Sequence, residues 1–329
     1  MNPEFLIKPL AENTSTRIKE TITTRFNTFK STSSEIKDIL NANLKLPEML
    51  LAKELDNETR SILGNKLSQS YALSALEAQK LIADVPIVES MERMVNLQKF
   101  LENNVEVVFS KKPYHPACGD WANKERLFWV RESFANKIIT LFQGLNNVNI
   151  TPKIEDTYRP PGVQEGLFSR RYHLVKADFP KMTEEELINE VMSKTAATPR
   201  LSSHKAGAAM DYTMLDSKTK IPLKIGNNYP DGGPHVSINF PYLTEEEWIN
   251  RQFFLLSAIS LGLSVYPWEN WHISYNDNLS GYDSKTNSRI KNFTATYGPI
   301  KEFDHENGTI MHRYSLEEYD QTFKINYEK

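Results

Sequence analysis

Around Asn104 the texture of this sequence changes, and that change limits its folds more than any single motif does. Up to there the chain is polar, poor in glycine and rich in helix formers, and Tyr71 to Leu81 is amphipathic at helical spacing. Leu46-Pro47 and Val85-Pro86 punctuate this part, because a residue before proline is pushed away from helical angles. Beyond Asn104, strand-like and helix-like stretches interleave. Val105 to Phe109 is β-rich, Glu125 to Gly144 reads as a long helix, and Val148 to Asp156 alternates like a strand. Thr183-Glu184-Glu185-Glu186 and Thr244-Glu245-Glu246-Glu247 both have the Ser/Thr-x-x-Glu form that caps a helix start, and Gly262 closes the second helix. Met210 to Met214, Trp271 to Tyr275 and Phe293 to Tyr297 carry the aromatic-rich alternation of strands. The expected class is α+β: a helical N-terminal region over 1–104, a mixed region over 105–310 and a C-terminal tail over 311–329.

Composition removes several functions. Lysine and arginine number 39 against 42 acids, a net charge of -3, so no positive excess draws in a phosphate backbone and nucleic acid is not an expected partner. Cys118 is the single cysteine, which excludes an internal disulfide and a multi-cysteine metal cage; any metal must be held by His, Asp or Glu. A cysteine hydrolase using Cys118 near His115 lacks a visible activating third partner. Met1 to Arg17 has scattered charges and no continuous apolar core, so the cytoplasm is the expected compartment. The apolar run Phe253 to Tyr266 is too short to span a bilayer and is interrupted by serines and Gly262, so it is expected as a buried helix.

Two short motifs carry the chemistry. The first is Ser202-Ser203-His204-Lys205-Ala206-Gly207-Ala208-Ala209-Met210-Asp211, the second Glu269-Asn270-Trp271-His272. His204, Asp211 and His272 offer two imidazoles and a carboxylate, the donor set of a zinc site with three protein ligands and an open fourth position. The small residues between His204 and Asp211 let the chain turn tightly enough to bring both to one ion. Glu269, three residues before His272, is placed to sit beside the metal and take a proton from a bound water. Upstream, Asp156-Thr157-Tyr158-Arg159-Pro160 sets an arginine at the end of a strand, held extended by the proline. Arg159 there serves either as a stabiliser of a developing oxyanion or as a structural partner of Asp156 or Glu165.

Taken together, Tyr-Arg-Pro, Ser-x-His followed by Gly, Ala and Asp, and Glu-x-Trp-His resemble the D-alanyl-D-alanine dipeptidase family of zinc metallopeptidases, relatives of the zinc D,D-carboxypeptidases. The resemblance covers roughly Val105 to Ile300, including Ala295-Thr296-Tyr297-Gly298-Pro299. It implies a catalytic domain with a small mixed or antiparallel sheet flanked by helices, one Zn2+ per chain on His204, Asp211 and His272, Glu269 as general base and acid, and Arg159 as transition-state stabiliser. It implies Ser203 at the substrate carboxylate. The family's acid for the substrate ammonium falls at or beside Pro230, so Asp231 is expected to take over with a one-residue shift. The implied reaction is hydrolysis of D-alanyl-D-alanine to two D-alanines. The alternatives are a zinc carboxypeptidase or endopeptidase on larger peptidoglycan peptides, or a zinc-bearing binding protein without turnover.

Overall fold

A computed structural model describes residues 7–29, 34–194, 202–315 and 318. It is an α+β protein whose largest sheet has five strands: β1 (Val108–Phe109), β2 (Ile150–Asp156), β3 (Ala209–Asp216), β4 (Ser264–Val265) and β5 (His272–Ser274), in the spatial order β1-β2-β3-β5-β4. β1 runs parallel to β2, and every other pair is antiparallel. The sheet is therefore mixed. Both long central strands are buried along nearly their whole length, with only Lys153 of β2 and Thr213 and Asp216 of β3 partly exposed, so neither face is left to water.

Helices cover that sheet. The first, α1 (Glu12–Phe29), buries Ile18, Ile22, Phe26 and Phe29, a stripe at helical period that joins the main core. α2 (Asn57–Asn65) and α3 (Ser68–Ala83) complete the N-terminal part used by the site, while α4 (Glu132–Asn147) and α5 (Val163–Asp178) flank β2 in sequence. α6 (Glu245–Ile259) is buried almost all round, and Thr244 caps it with its side chain while Glu247 bonds back to the Thr244 backbone. α1 and α4 approach closely because Gly144 has no side chain; a Cβ there would overlap the ring of Phe29.

The N-terminal helices share a core with the rest of the chain. Phe29 of α1 meets Phe253 of α6 edge to face at 5.8 Å, and one continuous cluster runs from Ile18 to Ile273. Arg60 of α2 reaches across to the buried Glu247 of α6 at 2.7 Å. Removing one member of a buried ion pair strands the other charge, so Arg60→Ala should destabilise the protein by about 3–5 kcal/mol. Chemical denaturation reads this directly, and a loss below about 1 kcal/mol would contradict it.

Four expectations change. Glu125 to Gly144 is not one helix: Trp129–Arg131 first forms a strand paired with Met94–Asn96, because Arg131 is drawn into the interior by Glu89. Ala295 makes only an isolated bridge with Ile87, so Phe293 to Tyr297 is not a strand of a sheet. The expected tail begins inside a hairpin, Ile300–Phe303 with Ile310–Arg313, while 316–317 and 319–329 lie outside the described residues. The apolar run from Phe253 divides into the end of α6, a turn at Gly262 with φ 70°, and β4. Among the described residues no helix is long and apolar enough to cross a membrane.

Candidate metal centre

Strand register assembles the site. Asp211 of β3 is paired with His272 of β5 on one side and with Asp156 of β2 on the other, so three neighbouring strands present Asp156, Asp211 and His272 in one row. His204 arrives from a single 3₁₀ turn, Ser203–Ala206, that ends in Gly207 with φ 65°. The left-handed backbone favours glycine there, and a Cβ would displace the end of the Met94 side chain, whose sulfur would lie 2.6 Å away. Lys205 of the same turn is buried in an ion pair with Glu165 of α5, which pins the turn to that helix.

His204, Asp211 and His272 are all buried, and their ligand atoms lie within 4.8 Å of one another. A tetrahedral ion with bonds near 2.05 Å needs ligand atoms separated by about 3.3 Å. His204 Nε2 is 3.4 Å from Asp211 Oδ1, and His272 Nδ1 is 2.9 Å from the same oxygen, a hydrogen bond that an ion would replace. His204 Nδ1 donates to the Thr157 carbonyl at 2.6 Å, which fixes the ring and leaves Nε2 as the ligand atom. The donor set and spacing fit one divalent ion, and no fourth His, Cys, Asp or Glu joins the group among the described residues.

Around this cluster the charges are arranged in layers. Burial alone would raise the Asp211 carboxyl, but the hydrogen bonds and charges of His204 and His272 hold it well below the usual carboxylate range. Glu269 stands beside the group, and burial together with Asp211 pushes its carboxyl up to about 7 against the pull of His272, Arg159 and a hydrogen bond from Trp271. Arg159 pairs with Asp156, one of the two acids foreseen as its structural partner, and also points toward the ligand group. Its Nε binds Asp156 Oδ2 at 2.9 Å, while Nη2 reaches to 3.6 Å from Asp211 Oδ2. Gln164 of α5 accepts from Arg159 Nη1 at 2.6 Å and from the Ser202 hydroxyl at 3.1 Å, so the guanidinium is aimed.

The segment carrying Glu269 leans on the N-terminal region. Tyr71 of α3 donates to the Trp268 carbonyl at 3.0 Å, the Trp268 indole donates to Ser74 at 3.1 Å, and Gln79 donates to the Tyr266 hydroxyl at 3.3 Å. Asn270 ties the same segment to Asn227 at 2.5 Å. Asn227 in turn belongs to a loop gathered by the buried Arg251, which donates to the carbonyls of Ile225 and His235 and to the Asn227 side chain.

That loop separates two neighbouring residues. Asp231 accepts from the Asn228 backbone at 2.7 Å and lies 3.9 Å from His235, with 41% of its side chain exposed, so its carboxylate is committed to its own loop. Tyr229 enters the site instead, its hydroxyl donating to Asp211 Oδ2 at 3.3 Å and its ring edge-on to Trp271. Ser203 is buried next to His204 in the turn. Two residues of the site were not foreseen: Tyr229 and Arg126, whose Nη1 lies 2.7 Å from the Asp156 oxygen that Arg159 also uses. Cys118 is packed with Tyr114 and Val163, and burial pushes its thiol up, away from a thiolate.

No protein-family model matches the chain, and no curated protein matches it.

Ionisation of Glu269 is expected to link metal uptake to pH. A dication beside a carboxyl poised near 7 favours its charged form, so uptake should expel a proton, and affinity should rise as pH rises toward 7. Glu269→Gln has no such proton to lose. Calorimetry in two buffers of different ionisation enthalpy, at about pH 6.5, should show more protons released by the wild-type chain than by the variant. Equal release from both would contradict the placement of Glu269.

Proposed function

We propose that the chain is a zinc-dependent peptidase that hydrolyses the amide bond of a D-alanyl-D-alanine unit. The observation that carries this reading is the three-ligand group flanked by a poised carboxyl and an aimed guanidinium, since a purely structural zinc fills its fourth position with protein and needs no base. Two imidazoles and one carboxylate suit zinc among the common divalent ions, and the bond class follows from the motif resemblance.

A bound zinc ion supplies Lewis acidity, polarising a carbonyl and lowering the pKa of a water. The chain's own groups do the rest. Glu269 accepts the proton of the attacking water and returns it to the leaving amine, a transfer suited to a carboxyl poised near 7. Arg159 faces the oxygen on which negative charge develops, and Asp156 and Gln164 hold it so that it need not reorganise during the reaction. Burial disfavours its charge, yet Asp156 and Asp211 more than offset that, so it stays a guanidinium throughout. The buried Ser203 is the proposed contact for the substrate's terminal carboxylate.

The test is release of D-alanine from peptides ending in D-Ala-D-Ala by the zinc-reconstituted protein, with a chelator and an L-Ala-L-Ala control. Chelator-sensitive release confined to the D-peptides supports the reading; absence of release from every D-peptide refutes it. Arg159→Lys should keep the metal yet raise the barrier by about 3 kcal/mol, roughly a hundredfold in kcat, because a point charge does not replace a planar fork held by Asp156 and Gln164. Unchanged kcat would remove Arg159 from the chemistry.

A further inference from the structure

A carboxylate can hold a divalent ion through one oxygen or through both. An open site needs the first, because a second bond from Asp211 would crowd the position that a three-ligand group leaves for a further group. Nothing in a bare carboxylate enforces that choice, so its surroundings must. The two oxygens of Asp211 face different partners. Oδ1 looks toward the ligand nitrogens, His204 Nε2 at 3.4 Å and His272 Nδ1 at 2.9 Å. Oδ2 looks toward the Tyr229 hydroxyl at 3.3 Å and Arg159 Nη2 at 3.6 Å. The second separation is too long for a hydrogen bond, and the same guanidinium is already held by Asp156 and Gln164. Among the described residues, Tyr229 is therefore the donor that Oδ2 has.

We infer that Tyr229 is a positioning residue for the metal: its hydroxyl engages Oδ2 and keeps Asp211 a one-oxygen ligand, so that the fourth position stays free of protein. This role belongs to the metal centre and holds whichever bond the centre cleaves. Ligand carboxylates are commonly oriented by such partners, and losing one costs about tenfold to a hundredfold in metal affinity or activity. Tyr229 reaches Asp211 from a loop that contributes no ligand. Its ring stands edge-on to Trp271, the neighbour of His272, at 5.4 Å, and the loop is tied down elsewhere, through Asn227 to Arg251 and Asn270. None of those contacts uses the hydroxyl. Tyr229→Phe should thus keep the loop in place and remove only the bond to Oδ2.

The experiment compares crystal structures of the zinc-loaded wild-type chain and of zinc-loaded Tyr229→Phe. In the wild type, Asp211 Oδ1 should lie about 2.0–2.2 Å from the ion with Oδ2 unbonded to it; in the variant, Oδ2 should close to a similar distance. Acetohydroxamate reports the same change in solution, since it reaches zinc only through a free position. Calorimetry should show it binding the zinc-loaded variant at least about tenfold more weakly than the wild type, the lower end of what loss of a partner behind a ligand costs. Arg159→Lys is the control: Arg159 makes no hydrogen bond to Oδ2, so that variant should keep Asp211 on one oxygen. An Asp211 that stays on one oxygen in Tyr229→Phe, or an unchanged affinity for acetohydroxamate, overturns the role of Tyr229 and leaves the metal centre intact. A two-oxygen Asp211 in the wild type or in Arg159→Lys overturns it equally. Absence of zinc from His204, Asp211 and His272 in the wild-type chain refutes the centre, and the inference with it.

Discussion

Glu269→Gln is expected to bind one zinc ion per chain and to lose turnover by about a hundredfold to ten thousandfold, the range that a positioned general base contributes. The amide keeps the size of the side chain, and the backbone bonds of residue 269 to Tyr266 and His272 do not depend on it, so the coordinating group should be undisturbed. It cannot accept a proton. Burial and Asp211 raise the native carboxyl to about 7, which makes it a base strong enough for water yet weak enough to give the proton back. Steady-state kinetics with parallel metal analysis separates the two functions, and an active variant with full zinc content would retire Glu269 from its role.

His204→Ala carries the second large effect, and it falls on binding. With two of three ligands left, zinc affinity should drop by at least about a hundredfold, more than loss of a partner behind a ligand typically costs. Binding that favours the folded state adds stability by mass action, about 2.7 kcal/mol when free metal is one hundred times Kd. Zinc should therefore raise the unfolding midpoint of the wild-type chain and leave that of His204→Ala nearly unmoved. The metal-free variant should itself fold, because the turn bearing His204 is also held by Lys205 with Glu165 and by Arg131 bonded to the Ala206 carbonyl. An equal zinc-induced shift in both chains would place the ion elsewhere.

The parts of this protein that were legible in its sequence are those set by local rules. Thr244 and Glu247 cap α6 because the capping box needs only four consecutive residues. β2 and β3 follow from short-range alternation, and the tight approach of His204 to Asp211 follows from Gly207. Long-range register was not legible: nothing local states that Asp211 pairs with both Asp156 and His272. Arg126 was hidden because it opens a stretch that reads as helix and owes its place to Asp156 on a different element. Tyr229 and Asp231 differ by two positions, and which of them enters the site depends on how Arg251 and Asn270 fold the loop, a tertiary matter. The N-terminal helices announced their own formation but not their destination, since Arg60 meets Glu247 and Tyr71 meets Trp268 only after the chain has folded back on itself.

The central claim is that His204, Asp211 and His272 jointly hold one divalent ion with a vacant coordination position. Anomalous scattering recorded on both sides of the zinc absorption edge, from crystals grown with zinc, tests it most directly. The account predicts a single strong peak about 2.0–2.2 Å from His204 Nε2, Asp211 Oδ1 and His272 Nδ1, with Glu269 beyond bonding distance and no fourth protein ligand. A peak elsewhere, no peak at saturating zinc, or Glu269 completing the coordination shell would contradict it.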